Sequence, residues 1–180
     1  MATPPASVTP GRIRHATEGD AGELARLRWQ CTREAAYAAE GAEAAEGAES
    51  LEAFTDRFRD FVRRALVSGR WSIWVAELDG RLVGNMWVHL IDRVPRPYGD
   101  TAVWGYVTNV YVEPEVRNRG LGGMLLDAGV QWGRYVGADR LIVWPRGRSN
   151  SFYERHGFGR IAEAMELRFR ELGQPLPENG

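Results

Sequence analysis

The stretch VEPEVRNRGLGGMLL, residues 112–126, constrains the fold of this chain more than any other part of its sequence. It joins a run typical of a strand to an apolar run typical of a helix, through a turn rich in arginine and glycine. Glycine permits sharp bends and a close approach of the backbone to another group. The stretch therefore predicts a helix that begins directly after a strand and its turn, with some group held close to the glycines.

Three explanations of these glycines compete. A dinucleotide fingerprint, G-x-G-x-x-G, is excluded because Gly120 and Gly122 fit but the third glycine would fall on Leu125. A turn in which glycine serves flexibility alone stays open. The third explanation is an anion site, since the first amides of a helix lack intrahelical acceptors and carry the positive end of its dipole. Arg117 and Arg119 add forked donors just upstream, so we favour a phosphate chain.

Elsewhere, strands and helices are interspersed, which predicts a mixed α/β fold. The hydrophobic spacing predicts strands at 12–15, 71–78, 81–91, 103–112, 140–145, 158–162 and 165–172, and helices from Thr17 to about Tyr37, from Ser50 to 67, over 121–136 and over 149–157. The low-complexity Ala/Glu segment 35–49 predicts a mobile connection or a frayed helix. We expect one domain over 12–171, between a disordered tail at 1–11 and a C-terminal tail at 172–180.

Composition excludes several function classes. With 23 basic against 24 acidic side chains, the net charge of −1 argues against a general nucleic-acid binder. No apolar run approaches the ~18 residues of a membrane span, and the N-terminus lacks the regions of a signal peptide. A single cysteine, Cys31, fits a cytoplasmic protein and is expected to be buried and structural. Every basic side chain is arginine, which excludes a P-loop lysine and a Schiff-base lysine.

Two motifs in order resemble a known family. Arg117-x-x-Gly120-x-Gly122, after the strand NVYVEP, resembles the acetyl-CoA-binding motif of the GCN5-related N-acetyltransferases. Further along, NSFYERHGF is similar to that family's asparagine–tyrosine–glycine–phenylalanine segment, and IRHATEGDAGELARLR to its first strand and helix. The resemblance covers about residues 12–170 and implies a single domain with a mostly antiparallel twisted sheet, splayed between its fourth and fifth strands, with helices on both faces.

The resemblance also implies the chemistry: transfer of an acetyl group from acetyl-CoA to a primary amine, by direct attack in a ternary complex, with no metal. Pantetheine would lie along the fourth strand and pyrophosphate on the glycine turn. The cofactor-binding residues so implied are Val110, Tyr111, Val112, Arg117, Asn118, Arg119, Gly120, Leu121, Gly122 and Asn150. Arg146, Arg148 and Arg155 are candidates for contact with the 3′-phosphate of the cofactor.

For catalysis, the resemblance makes Tyr153 the acid that protonates the departing thiolate, and a backbone N–H near Val110 the donor to the carbonyl oxygen. The base is less well defined, because VWGYVTNVYV contains no carboxylate. Glu113 is the nearest carboxylate to that strand. The other candidates are Asp92, Asp100, His89 and a base acting through water.

The acceptor would be a small-molecule amine or a peptide amine, protein N-termini included, and a homodimer is left open. Two other functions compete with catalysis: a non-catalytic domain that senses acyl-CoA, and a nucleotide-binding protein that uses the same turn. The missing strand carboxylate favours the sensor, whereas Tyr153 at its expected place favours the enzyme.

Overall fold

The computed structural model describes residues 11–40, 49–95, 97, 103–161, 164–165 and 167. The strands are β1 (Arg12–His15), β2 (Trp71–Leu78), β3 (Arg81–Ile91), β4 (Val103–Val112) and β5 (Ala138–Val143). The α-helices are α1 (Ala21–Glu40), α2 (Leu51–Val67), α3 (Leu121–Tyr135) and α4 (Asn150–Arg155). Short 3-10 helices lie at Glu18–Asp20, Pro114–Val116 and Gly147–Ser149.

The strands form one sheet in the order β1-β2-β3-β4-β5. The first three pairings are antiparallel, and only β4 with β5 is parallel, which confirms the predicted mostly antiparallel sheet. The β2–β3 turn has Asp79 and Gly80 at φ values of 51° and 74°. Positive φ at both turn residues is what a tight hairpin needs, and Asp-Gly is a favoured pair for it.

The two faces of the sheet carry separate cores, because successive strand side chains point to opposite sides. Ile73 and Val75 of β2 pack with the helices α1 and α2, whereas Ala76 packs with α3. The helices thus cover both faces, as predicted. Fully buried side chains in the two cores include Leu24, Leu27, Val62, Met86, Val88, Leu125 and Leu126.

Side-chain hydrogen bonds cap the chain at the starts of α1 and α2. The backbone N–H of Thr17 donates to the Asp20 carboxylate at 2.7 Å before α1, and the Ser50 hydroxyl accepts from the N–H of Ala53 at 3.2 Å before α2. Helix α1 extends to Glu40, beyond the predicted end near Tyr37, because alanine favours helix continuation. The remainder of the Ala/Glu segment, 41–48, lies outside the described residues.

The predicted strand at 158–162 is wrong over the described residues 158–161, which join no ladder. Gly157, with φ 85°, turns the chain away after α4, and a strand needs a hydrogen-bonded neighbour to form. Most of the predicted strand at 165–172 lies outside the described residues.

A buried carboxylate ties α1 to the sheet. Glu113, 3% exposed, lies at the exit of β4, where its N–H donates to the carbonyl of Val83 at 2.9 Å. Arg26 of α1 donates to its Oε1 at 2.5 Å, and Arg81 of β3 donates to its Oε2 at 2.6 Å. Both carboxylate oxygens are therefore occupied by guanidinium groups, which compensates the cost of burying the charge.

We expect Glu113→Gln to destabilise the protein by about 3 kcal/mol, because removing one member of a buried ion pair leaves its partners uncompensated. Urea unfolding at neutral pH measures this loss. The matched control is Asp60→Asn, which breaks an exposed ion pair with Arg63 and should cost less than about 1 kcal/mol. Equal losses in the two variants would contradict the structural role of Glu113.

Candidate functional site

A cleft opens where β4 and β5 part. Their pairing ends at Val107 and Val143, while β4 continues to Val112 and the chain after β5 turns towards α4. The gap opens into a cleft of about 680 Å³. This confirms the predicted splay between the fourth and fifth strands.

A β-bulge shapes one wall of the cleft. The ladder between β3 and β4 passes from Asn85 opposite Tyr111 to Trp87 opposite Thr108. Asn109 and Val110 therefore share one opposing residue, and Asn109 has a φ of 49°. A bulge re-aims the backbone out of the regular ladder, which suits the predicted donor near Val110. The bulge lines the cleft.

Below the bulge, the glycine turn leads into α3. Gly120 occupies the N-cap position with φ 83° and makes no side-chain cap. A side chain at this left-handed position would be strained. The first amides of α3 consequently have neither intrahelical nor side-chain acceptors, the condition for an anion site. Asn118, Leu121 and Gly122 of the turn line the cleft, as do Val110, Tyr111 and Val112 of β4.

Arg117 lies in the cleft, but its guanidinium is already engaged. Its Nε donates to the carbonyl of Val112 at 2.9 Å, and its Nη2 donates to the carboxylate of Glu34 at 2.7 Å. These contacts brace the turn against β4 and α1, which favours a positioning role for Arg117 over a direct grip on phosphate. Arg119 is not among the residues that line the cleft.

The opposite wall comes from α4. Tyr153 is 8% exposed and packs edge-on against Phe152 and Phe158. Burial, and secondarily the proximity of Tyr106, raises the pKa of Tyr153 to about 12. Its hydroxyl therefore stays protonated at neutral pH and is available as a donor. Asn150 lines an apolar cavity of about 570 Å³ beside the same tyrosine, and its predicted place on the cofactor arm stays a prediction.

The candidate bases that the structure describes, Glu113, Asp92 and His89, do not line the cleft. Glu113 is held by Arg26 and Arg81, so its role as a base stays a prediction that the ion pairs do not favour. Asp92 pairs with Arg70 at 2.5 Å, and the His89 ring stacks on Trp71. Asp100 lies outside the described residues.

Helix α1 contributes lining residues that the sequence motifs did not identify. Arg28, Cys31 and Glu34 face β4 across the cleft. Helical spacing would have grouped them on one face, but nothing local indicates that this face meets the cleft. Cys31 is half-buried, and burial raises the pKa of its thiol, so the expected structural cysteine also borders the cleft.

Arginine dominates the charge of the cleft. Arg146 and Arg155 line it together with Arg28 and Arg117, and Glu34 is the one carboxylate among the described lining residues. The side chain of Arg148 lies outside the described part of the structure. The described residues contain no group of three or more metal-ligating side chains, and none of their helices is long and apolar enough to cross a membrane.

Comparison with known proteins agrees with this geometry. A family model described as the acetyltransferase (GNAT) domain matches residues 69–160. Mycothiol acetyltransferase of Propionibacterium freudenreichii subsp. shermanii is 33% identical over 86 residues, which are 46% of this chain and 26% of that protein. The match thus spans about a quarter of that relative.

Solved structures share the fold. A protein of Clostridium acetobutylicum, described as a predicted acetyltransferase and crystallised with acetyl-CoA, superposes with a TM-score of 0.70 at 21% identity, over 88% of this chain and 96% of that one. A GCN5-related N-acetyltransferase of Ralstonia eutropha JMP134 has a TM-score of 0.67 at 24% identity, over 88% and 99%. The parted strands, the glycine turn and the matched domain lead to one conclusion: this chain belongs to the GCN5-related N-acetyltransferase superfamily.

Proposed function

We propose that the protein is an acetyl-CoA-dependent N-acetyltransferase that acts on a primary amine of a small molecule or peptide, by direct attack in a ternary complex. Family membership supports acetyl transfer in general. The observation that carries the proposal is that one cleft joins an uncapped helix N-terminus to a buried, protonated tyrosine. The helix N-terminus can bind a phosphate chain, and the tyrosine can act as the proton donor.

The residues present fit coenzyme A. Gly120 leaves open space where a side chain would stand, and the uncapped N–H groups of α3 can donate hydrogen bonds to a pyrophosphate. Past Val107, the edge of β4 is released from β5, so its backbone groups can pair with the amides of a pantetheine arm as an added strand would. Arg146 and Arg155 line the same cleft and can supply charge for a further phosphate.

Bound acetyl-CoA supplies the activated acetyl group: the amine nitrogen bonds to the carbonyl carbon while the carbon–sulfur bond breaks. The backbone N–H near Val110, on the bulge, donates to the carbonyl oxygen in this proposal as the negative charge of that oxygen grows. The hydroxyl of Tyr153 donates its proton to the sulfur. A thiol pKa of about 8.5 lies below the pKa of Tyr153, so full proton transfer to the sulfur is uphill and is completed when the tyrosine takes up a proton from water. The amine nitrogen, positively charged once it is bonded to the carbonyl carbon, releases a proton to the same water, so that the products are the amide and the free thiol.

The amine must lose a proton before it can attack. An alkylammonium has a pKa of about 10.4, so at neutral pH deprotonation costs roughly 4 kcal/mol. Because Glu113 is engaged by Arg26 and Arg81 and Glu34 by Arg117, we assign this proton to water within the cleft, which relays it to solvent.

The commitment of Glu113 to two arginines also favours a second candidate, a non-catalytic domain that binds acyl-CoA as a sensor. The two functions share the cofactor site and differ in turnover. Release of free thiol that depends on an added amine supports the enzyme. Tight binding of coenzyme A without such release, across a broad panel of amines, supports the sensor.

We expect Tyr153→Phe to lower kcat by about 100-fold, the range of a positioned general acid, while the affinity for coenzyme A stays unchanged. Thiol release and calorimetry measure the two quantities. Tyr135→Phe is the matched control, since Tyr135 is 89% exposed, and its kinetics should equal those of the unchanged protein.

The pH profile tests the same residue. Because burial raises the pKa of Tyr153 to about 12, the tyrosine stays protonated through pH 10, and the rate should not decline there. A decline near pH 10 that disappears in Tyr153→Phe would show an ordinary, solvent-exposed tyrosine and would contradict the buried acid.

We expect Gly122→Trp to abolish binding of coenzyme A, since a side chain at Gly122 projects against Phe152, 3.5 Å from its would-be Cβ, inside the cleft. Calorimetry with coenzyme A measures the loss. Gly19→Trp is the control: Gly19 is exposed and is not among the residues that line the cleft, so it should tolerate the same substitution. Unchanged affinity in folded Gly122→Trp would remove the basis for both the enzyme and the sensor.

A further inference from the structure

Arg28 of α1 is a cleft arginine whose charge no described carboxylate neutralises. Its Nη1 donates to the neutral Oδ1 of Asn109 at 3.1 Å, and it is exposed at the cleft wall. Its neighbours differ. Arg26 pairs with Glu113 and Glu23, and Arg117 pairs with Glu34. Among the residues that the structure describes, Arg28 therefore presents a guanidinium without a carboxylate partner to whatever occupies the cleft.

Arg28 lies away from the glycine turn, the end of the cleft proposed to bind phosphate. Glu34 bridges α1 to Arg117, at the glycine turn. A helix rises about 1.5 Å per residue, so Arg28 lies roughly 9 Å from Glu34 along α1. Its partner Asn109 belongs to the bulge, next to Val110. Arg28 thus stands at the end of the cleft where the proposed acyl transfer takes place.

The guanidinium is held in place by a chain of amides that begins in the core. Asn85 is fully buried, and its Oδ1 accepts from the indole N–H of Trp87 at 3.0 Å and from the Nδ2 of Asn109 at 2.9 Å. This leaves the Oδ1 of Asn109 turned towards Arg28. A charged group supported in this way loses little freedom when it binds a partner.

We propose that Arg28 recognises an anionic oxygen group, carboxylate or phosphate, on the acceptor amine. The inference rests on the proposed function and names its substrate class. One N–H of the guanidinium is used by Asn109, and the remaining donors form the fork that matches either anion. The same positive charge disfavours the ammonium form of a nearby amine, which assists the proton loss that the reaction needs.

The test compares amines that differ only in the anion. L-amino acids are paired with their primary amides, and O-phosphoethanolamine with ethanolamine, and kcat/KM is measured by thiol release from acetyl-CoA. A charge-assisted contact of about 1.5–3 kcal/mol predicts a preference of about 10- to 150-fold for the anionic member of a pair. Whether the carboxylate or the phosphate pair shows it identifies the source of the anion.

Variants of Arg28 test whether this residue causes the preference for anionic amines. We expect Arg28→Gln to abolish the preference, and Arg28→Lys to retain part of it, while both bind coenzyme A normally. Arg33→Gln is the matched control, since Arg33 lies on the same helix over the Trp29 ring and outside the cleft lining. An equal loss for charged and neutral amines, or a lower affinity for coenzyme A in Arg28→Gln, overturns the inference.

A binding measurement separates this inference from the proposed function. The same amines are titrated into protein saturated with coenzyme A, and heat is recorded without turnover. Binding of anionic amines that depends on Arg28, with no thiol release from acetyl-CoA, upholds the anion site and refutes the enzyme. Turnover of neutral amines as fast as that of anionic ones upholds the enzyme and refutes the anion site. Absence of both binding and turnover refutes the anion site.

Discussion

The functional architecture depends on the early end of the pairing between β4 and β5. Backbone N–H and C=O groups that leave a ladder need other partners, and β4 continues from Val107 to Val112 after its pairing with β5 has ended. The released edge is what a pantetheine arm can join. The same divergence sends the chain after Val143 into α4, which brings Tyr153 opposite the bulge. The early end of this ladder thus opens the cleft, and it places the free edge of β4 on one side of the cleft and Tyr153 on the other.

Helix α1 serves two purposes on two sides. Arg26 reaches the buried carboxylate of Glu113 and anchors the helix to β3 and the exit of β4. Arg28 and Glu34 face the cleft instead, one at the bulge and one at the glycine turn. Since the chain contains no lysine, each of these contacts uses a planar guanidinium, whose forked donors can bind a carboxylate and an amide or carbonyl together. The contacts of Arg26 fix α1 against the sheet, so that Arg28 and Glu34 reach the cleft.

The residues predicted to act in the cleft fall into two groups. Some are positioned by neighbouring residues in the sequence, and others by contacts with distant segments. The turn at 117–122 and the strand before it line the cleft as expected, apart from Arg119 and Gly120 themselves, because a strand, a turn and a helix start are encoded by neighbouring residues. The role of Glu113 as a base stays a prediction; its ion pairs with Arg26 and Arg81 had no local signal, since these partners are distant in sequence. Asn150 follows its motif in sequence but faces the neighbouring cavity.

Neighbouring residues encode the hairpin with its Asp-Gly turn, the capped starts of α1 and α2, the glycine-opened helix α3 and the motifs that resemble the family. Each depends on residues a few positions apart, whose conformational preferences act locally. Tertiary structure alone decided which charges meet, how deeply Tyr153 is buried and which face of α1 borders the cleft. Those outcomes depend on contacts between segments far apart along the chain, and the residues near each segment do not encode which distant segment it will contact.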